Sequence, residues 1–157
     1  ASLWLQSLAG TGTRINQILD SIGYTATRVN SRTPGREADR DKFGWGQTSP
    51  KEMASLFEAL ANRSLMDSES SEKMLRLLGR NYWDEEALSQ IPPDVFVASK
   101  NGAINASRSE AMYVYGKNAR YVFCICTKNN KDRSWELQNE AWELARKVSK
   151  LLWETYK

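Results

Sequence analysis

Asp94-Val95-Phe96-Val97-Ala98-Ser99-Lys100-Asn101-Gly102-Ala103 is the stretch whose reading decides the fold, because a strong strand signal in it runs directly into a lysine and a glycine. Two further β-rich runs follow, Ser109 to Gly116 and Arg120 to Lys128, with polar connections short enough for an antiparallel meander. The apolar face of such a meander has to be buried against something. A long helix predicted over 135–156, capped by Asp132 or Ser134, is its natural cover, with Leu137, Ala141, Leu144, Val148, Leu151 and Thr155 along one face. Everything ahead of the quoted stretch reads as helix and loop. The expected fold class is therefore α+β: a three-stranded antiparallel meander covered by a long C-terminal helix and preceded by a helical region.

That preceding region begins abruptly in helical pattern at Leu3, Leu5 and Leu8 with no cap in front, which reads as a chain cut from something longer. Gly10 and Gly12 break the pattern, Thr11 or Thr13 caps the next helix, and Ile15, Ile18, Leu19 and Ile22 form its apolar face. Residues 24–47 show little periodicity and many turn formers. They read as an omega-type loop, either pinned by Phe43 and Trp45 or bordering a substrate cleft. Ser49-Pro50-Lys51-Glu52 is a capping box with proline at the first helical position, and Met53, Leu56, Phe57 and Leu60 follow at core spacing. A further helix, capped by Asp67 or Ser68, presents Met74, Leu75, Leu77 and Leu78, and a short helix after Asp84 ends at Ile91-Pro92-Pro93. The domain organisation expected is one partial domain over 1–157, with a helical region 1–93, a sheet 94–128 and a helix 132–157.

Composition excludes several classes of function. The 22 Lys and Arg against 19 Asp and Glu are interspersed, with no basic stripe or nucleic-acid-binding motif, so no nucleic-acid partner is expected. The sequence contains no histidine, which removes the commonest general base and rules out a histidine-dependent triad within these residues. Cys124 and Cys126, the only cysteines, share one face of a strand about 7 Å apart, too far for an easy disulfide. They read as small core residues rather than a redox or metal pair, since CxC alone lacks the other ligands of a zinc site. No cofactor and no metal are expected. No apolar run approaches the roughly 20 residues of a membrane span.

Lys100 at a strand end beside Gly102 places an ammonium group next to backbone that can be approached closely. That suits a carboxylate or a developing oxyanion, although an ordinary solvated lysine fits the local spacing as well. Val97-Ala98-Ser99-Lys100-Asn101-Gly102-Ala103 resembles the Lys-Thr/Ser-Gly strand of class A β-lactamases and related penicillin-binding serine hydrolases. Thr48-Ser49-Pro50-Lys51-Glu52-Met53-Ala54 is similar to the helix start after that family's omega loop, and Ile15 to Gly23 to the helix after its Ser-Asp-Asn region. The order and intervals agree across nearly all of the chain. They match the carboxy-terminal portion of a β-lactamase/transpeptidase-like fold.

The resemblance implies a role for each residue of this edge. Lys100 would bind the substrate carboxylate and tune the proton network, Gly102 would keep the edge open, and the N–H of Ala103 would form half of an oxyanion hole. Arg108 looks like the family's basic residue on the neighbouring strand, provided the intervening turn is one residue shorter. Asn101 stands where a Thr or Ser hydroxyl usually contacts substrate. In the loop, Thr33-Pro34-Gly35-Arg36-Glu37 replaces the family's Glu-Pro-Glu-Leu-Asn, and Thr33 is no base near neutral pH. Ser70-Ser71-Glu72-Lys73 formally fits the nucleophile motif Ser-x-x-Lys but follows the loop, on the wrong side of the motif order. The implied activity is acyl-enzyme hydrolysis of an amide or ester, on a small-molecule or peptide-like substrate. The nucleophile would lie outside these residues, and the isolated chain would be inactive. A noncatalytic binding domain that keeps the fold is the alternative. The family's location favours the periplasm or secretion, and an uncovered sheet edge would favour a homodimer.

Overall fold

The computed structural model describes residues 2–157 and divides into two compact units, Ala1–Met53 and Ala54–Lys157. No helix among the described residues is long and apolar enough to cross a membrane.

The first unit contains helices α1 (Ser2–Leu8) and α2 (Gly12–Ser21), strand β1 (Arg28–Val29), helix α3 (Glu37–Phe43), strand β2 (Gly46–Gln47) and the start of α4 (Pro50–Ala61). Polar side chains hold it together more than apolar ones do. Thr11 caps α2 by accepting the Arg14 N–H. The residues α2 buries are Gly12 and Asn16, whereas Ile18 and Ile22 of the predicted apolar face are exposed. Asn16 answers the unpaired backbone of β1: its Nδ2 donates to the Val29 carbonyl at 2.9 Å and its Oδ1 accepts the Val29 N–H at 2.8 Å. Both half-buried main-chain groups are thereby satisfied, which an isoleucine could not do. Gly12 leaves no room for a side chain, since a Cβ there would stand 1.8 Å from Thr33 Oγ1.

Phe43 and Trp45, which one of the two sequence readings had pinning the loop, are exposed. The loop is anchored instead on Asn30, which is buried and donates to the Gly44 carbonyl and Gln47 Oε1 while accepting Arg36 Nε at 2.7 Å. Within it lies the unforeseen α3, which carries Glu37 and Asp39 in its first turn and Arg40 and Lys42 in its last, as the helix dipole favours. The capping box is half realised. Ser49 Oγ accepts the Glu52 N–H at 3.2 Å, but the Glu52 carboxylate turns to the N–H groups of Thr25, Ala26 and Thr27 at 2.6 to 2.8 Å and to the Thr27 hydroxyl. Desolvation pushes its pKa up, yet the four hydrogen bonds together outweigh this and hold it down at about 2.

The second unit contains the remainder of α4, α5 (Ser68–Leu78, capped by Asp67), a 3-10 turn (Ala87–Gln90), strands β3 (Phe96–Ile104), β4 (Ser107–Tyr115) and β5 (Arg120–Cys126), and α6 (Glu140–Tyr156). The strands form an antiparallel sheet in the order β3-β4-β5. Its core joins Val97, Met112, Val114 and Phe123 from the sheet to Trp142 and Ala145 of α6 and to Ala87 and Ile91. The predicted meander and covering helix are both present.

The helix begins at Glu140, five residues later than its pattern suggested, because 131–139 is tied into a polar knot. Asn139 is the N-cap, and its Nδ2 donates to the carbonyls of Asp132 and Ser134, both at 3.1 Å. Asp132 accepts the N–H groups of Ser134 and Glu140, and Glu140 Oε1 accepts those of Lys131 and Asp132. Side chains that capture nearby backbone in this way compete with helix formation.

Candidate active site

The alternation of β3 sorts the candidate residues by face. Val97, Ser99, Asn101 and Ala103 pair with Val114, Met112, Glu110 and Arg108 of β4, and this face carries the core against α6. Phe96, Ala98, Lys100, Gly102 and Ile104 point to the opposite face. Within the sheet, β3 pairs only with β4, so its outer edge is open among the described strands.

Lys100 is exposed, and its Nζ donates to the carbonyl of Asn101 in a short contact. Asn101 is half-buried beside Glu110. Gly102 is exposed opposite Ser109, whose hydroxyl donates to the Gly102 carbonyl at 3.3 Å. A Cβ on Gly102 would meet Ser109 Oγ at 3.0 Å, so the glycine keeps this corner low. Ala103 is half-buried. These four consecutive residues lie from the middle of β3 onward and not at a strand end as the sequence suggested: Lys100 and Gly102 leave one face, with the ammonium in solvent, and Asn101 and Ala103 leave the other.

Arg108 is placed elsewhere. It pairs with Ala103, and its side chain is 1% exposed on the α6 side of the sheet. Its guanidinium donates to the carbonyls of Ile104, Asn105, Ser107 and Ser134 and lies 4.8 Å from the Trp135 ring centre and 5.8 Å from that of Trp142. Serving as a clamp on the β3–β4 turn, it is turned away from the Lys100 face. The physical reason is register: a shift of one residue sends a side chain to the other face.

Glu110, which sequence reasoning passed over, is buried behind this edge. Its carboxylate accepts the N–H groups of Ala87 at 2.8 Å and Leu88 at 3.3 Å. Desolvation pushes its pKa up to about 7; the two N–H groups and the Lys100 ammonium pull it down, and Glu86 pushes it up. The available signal was alternation, which sets Glu110 on the same face as Met112 and Val114, where a carboxylate needs partners.

In the first unit, Thr33 is buried and its hydroxyl donates to the Ser31 carbonyl at 3.1 Å. Glu37 is exposed at the start of α3 and accepts the Gly35 N–H at 3.3 Å. Both line a concavity of about 320 Å³ with Asn30, Arg32, Pro34 and Arg40. Ser70, the formal Ser-x-x-Lys serine, spends its hydroxyl on the helix cap by donating to Asp67 Oδ2 at 2.8 Å.

The beta-lactamase enzyme family matches residues 1–156. Among solved structures, PBP-A is similar at 22% identity and TM-score 0.79, over 96% of this chain and 53% of that one. An ancestral class A β-lactamase is similar at 19% identity and TM-score 0.77, over 98% of this chain and 58% of the other. A carbapenemase from Vibrio cholerae is similar at 21% identity and TM-score 0.73, over the whole of this chain and 60% of its own length. No curated protein matches the sequence. The chain belongs to the beta-lactamase enzyme family and has the α+β fold of class A β-lactamases and penicillin-binding relatives. It spans little more than half the length of these solved relatives.

Proposed function

We propose that this chain provides the β3 wall of an acyl-transferring serine-hydrolase cleft, as the carboxy-terminal portion of a β-lactamase-like enzyme. The observation that carries the reading is the open outer edge of β3, along which Lys100, Asn101, Gly102 and Ala103 are consecutive and Lys100 stands in solvent. Family membership over residues 1–156 gives this edge its chemical context, and a mutant of the relative PBP-A is described as an acyl-enzyme complex with penicillin G.

In this proposal a serine from a Ser-x-x-Lys motif outside the 157 residues attacks the carbonyl carbon of an amide or ester, and the Ala103 N–H stabilises the oxyanion that forms. Lys100 draws in the substrate carboxylate and Gly102 admits the substrate to the backbone, while Asn101, whose side chain leaves the opposite face beside Glu110, presents no amide on the Lys100 side where relatives carry a hydroxyl. Arg108 is left to the turn it clamps. The substrate is a small molecule or peptide-like acyl donor, not a nucleic acid, and the setting is extracytoplasmic. The 157 residues belong to a single domain of that fold, and a second copy can pair through an open sheet edge.

Labelling with a fluorescent penicillin tests the proposal. A longer gene product that supplies the serine is expected to form a covalent adduct, and the 157-residue chain is expected to form none. Failure of the longer product to label, under conditions that label PBP-A, overturns the catalytic reading. It would favour a noncatalytic binding domain, the reading for which Thr33 in place of a loop carboxylate already argues.

A further inference from the structure

The 3-10 turn and the first residues of β3 border a groove of about 770 Å³ that acyl transfer leaves unused. Its floor is apolar, formed by Leu88, Ile91, Val95 and the exposed ring of Phe96. Gly79 makes space for that ring, since a Cβ there would stand 2.7 Å from Phe96 Cε2. Asp84, Glu85 and Asp94 are exposed along the margin. None of the three carboxylates has an ion-pair or hydrogen-bond partner among the described residues. No Lys or Arg lines the groove, although the chain as a whole carries a net charge of +3. Pro92 and Pro93 in its wall add backbone acceptors without donors. Both walls are tied to the sheet. Asn81 Nδ2 donates to the hydroxyl of the buried Ser99 at 2.9 Å and to the Trp83 carbonyl at 3.1 Å, and its Oδ1 accepts the Trp83 N–H at 3.3 Å. Glu110 holds the N–H groups of Ala87 and Leu88. Between the lining residues Asn81 and Asp84, Tyr82 and Trp83 are 85% and 62% exposed, edge to face with ring centres 5.6 Å apart.

We propose that this groove docks an extended peptide segment of a partner protein in which basic and apolar side chains alternate. Successive side chains of an extended chain point to opposite sides, those on one side about 7 Å apart. The apolar set covers Leu88, Ile91 and Phe96, and the Lys or Arg set meets Asp84, Glu85 and Asp94. The exposed rings of Tyr82 and Trp83 offer faces for cation–π contact with a basic side chain that overruns the margin. Walls already fixed on the sheet spare the cost of ordering them on association. An acidic segment of the same shape is repelled by the unpaired carboxylates, so charge sets the choice of partner and the apolar floor adds affinity.

Fluorescence anisotropy of a rhodamine-labelled Lys-Leu-Lys-Leu-Lys-Leu hexapeptide, titrated with the 157-residue chain, tests the groove. Binding is expected, with the Lys-Ser analogue at least about tenfold weaker for want of apolar burial and the Glu-Leu analogue not bound. Asp84→Asn combined with Glu85→Gln is expected to weaken binding about fivefold. Glu58→Gln combined with Glu154→Gln alters the net charge equally at exposed carboxylates outside the groove and is expected to leave binding unchanged. Four results overturn the proposal: no anisotropy rise with the Lys-Leu peptide, equal binding of the Glu-Leu peptide, equal weakening by the two double variants, or displacement by spermidine at no higher concentration than by unlabelled peptide. The last would make the occupant a free polycation. The first, second and fourth use the unmutated chain and need no variant to fold.

Discussion

Glu110→Gln is the substitution whose consequence can be worked furthest. The carboxylate is 1% exposed, and its two acceptor bonds hold the first turn of the Ala87–Gln90 segment against the sheet. A pKa raised from 4.5 to about 7 means that the fold favours the protonated form, by roughly 3 kcal/mol at 1.36 kcal/mol per unit. Because the folded value is the higher one, this contribution to stability is complete below pH 4.5 and is lost as pH rises through about 7. Glu86, raised chiefly by desolvation, acts in the same direction. Glu52, Asp67 and Asp132 are lowered, so their contributions fall away only below their unfolded values and lie outside this window. Glutamine cannot titrate. Urea unfolding followed by tryptophan fluorescence at pH 5 and pH 8 should therefore show the unmutated chain losing roughly 2.5 kcal/mol more than the variant over that interval, the remainder having gone below pH 5. Equal pH dependence in the two proteins would refute the assignment of this titration to Glu110. A lower stability of the variant at both pH values, from one N–H group left without its acceptor, would not.

Three further substitutions separate structural from chemical roles. Glu52→Gln removes a carboxylate whose pKa is lowered to about 2, so its stabilisation is present above pH 4.5 and lost as pH falls through 2; being largely solvated it is worth about 1 kcal/mol, read as a smaller loss of stability between pH 6 and pH 3. Arg108→Lys cannot reproduce the fan of four carbonyl contacts and should cost roughly 2–3 kcal/mol in urea unfolding; unchanged stability would mean that the clamp is not formed. Gly102→Ala asks only that Ser109 Oγ yield from 3.0 Å, so unfolding should shift by no more than about 0.5 kcal/mol, while penicillin labelling of the longer product falls.

What was legible in the sequence follows from which interactions leave a periodic trace. The sheet and α6 were readable because apolar burial repeats at 2.0 and 3.6 residues. The loop of residues 24–47 was not, because Asn30, Arg36, Gln47 and Glu52 organise it through hydrogen bonds between positions 11 to 27 residues apart, with no repeat to detect. The same holds for the Asn139 knot, where a pattern that begins at Trp135 yields to backbone capture by Asp132 and Asn139. At the candidate site the faces of the four β3 residues could be read from local sequence alone, since a strand's own alternation fixes them. Arg108 was not, since its face depends on pairing with a second strand.

That dependence reduces to the parity of one turn. Ile104 pairs with Ser107, leaving Asn105 and Ala106 as the connection, with Asn105 at a φ of +30°. A two-residue connection puts Lys100 opposite Ala111 and therefore groups Ser107, Ser109, Ala111, Tyr113 and Tyr115 on the Lys100 face. Lengthening or shortening the turn by one residue would exchange the two sets and bring Arg108 and Glu110 to that face. With the turn as it is, Lys100 is the only charged side chain that the β3–β4 hairpin presents there. Lys100→Met therefore removes the whole of the hairpin's charge from the proposed anion-binding face. It also deprives Glu110 of a cation that lowers its pKa, so the midpoint of the Glu110 titration should move further up. The second effect is measurable in the 157-residue chain without substrate. An unchanged midpoint would show that Lys100 does not sense the buried carboxylate behind it, and would leave its role to the solvent side alone.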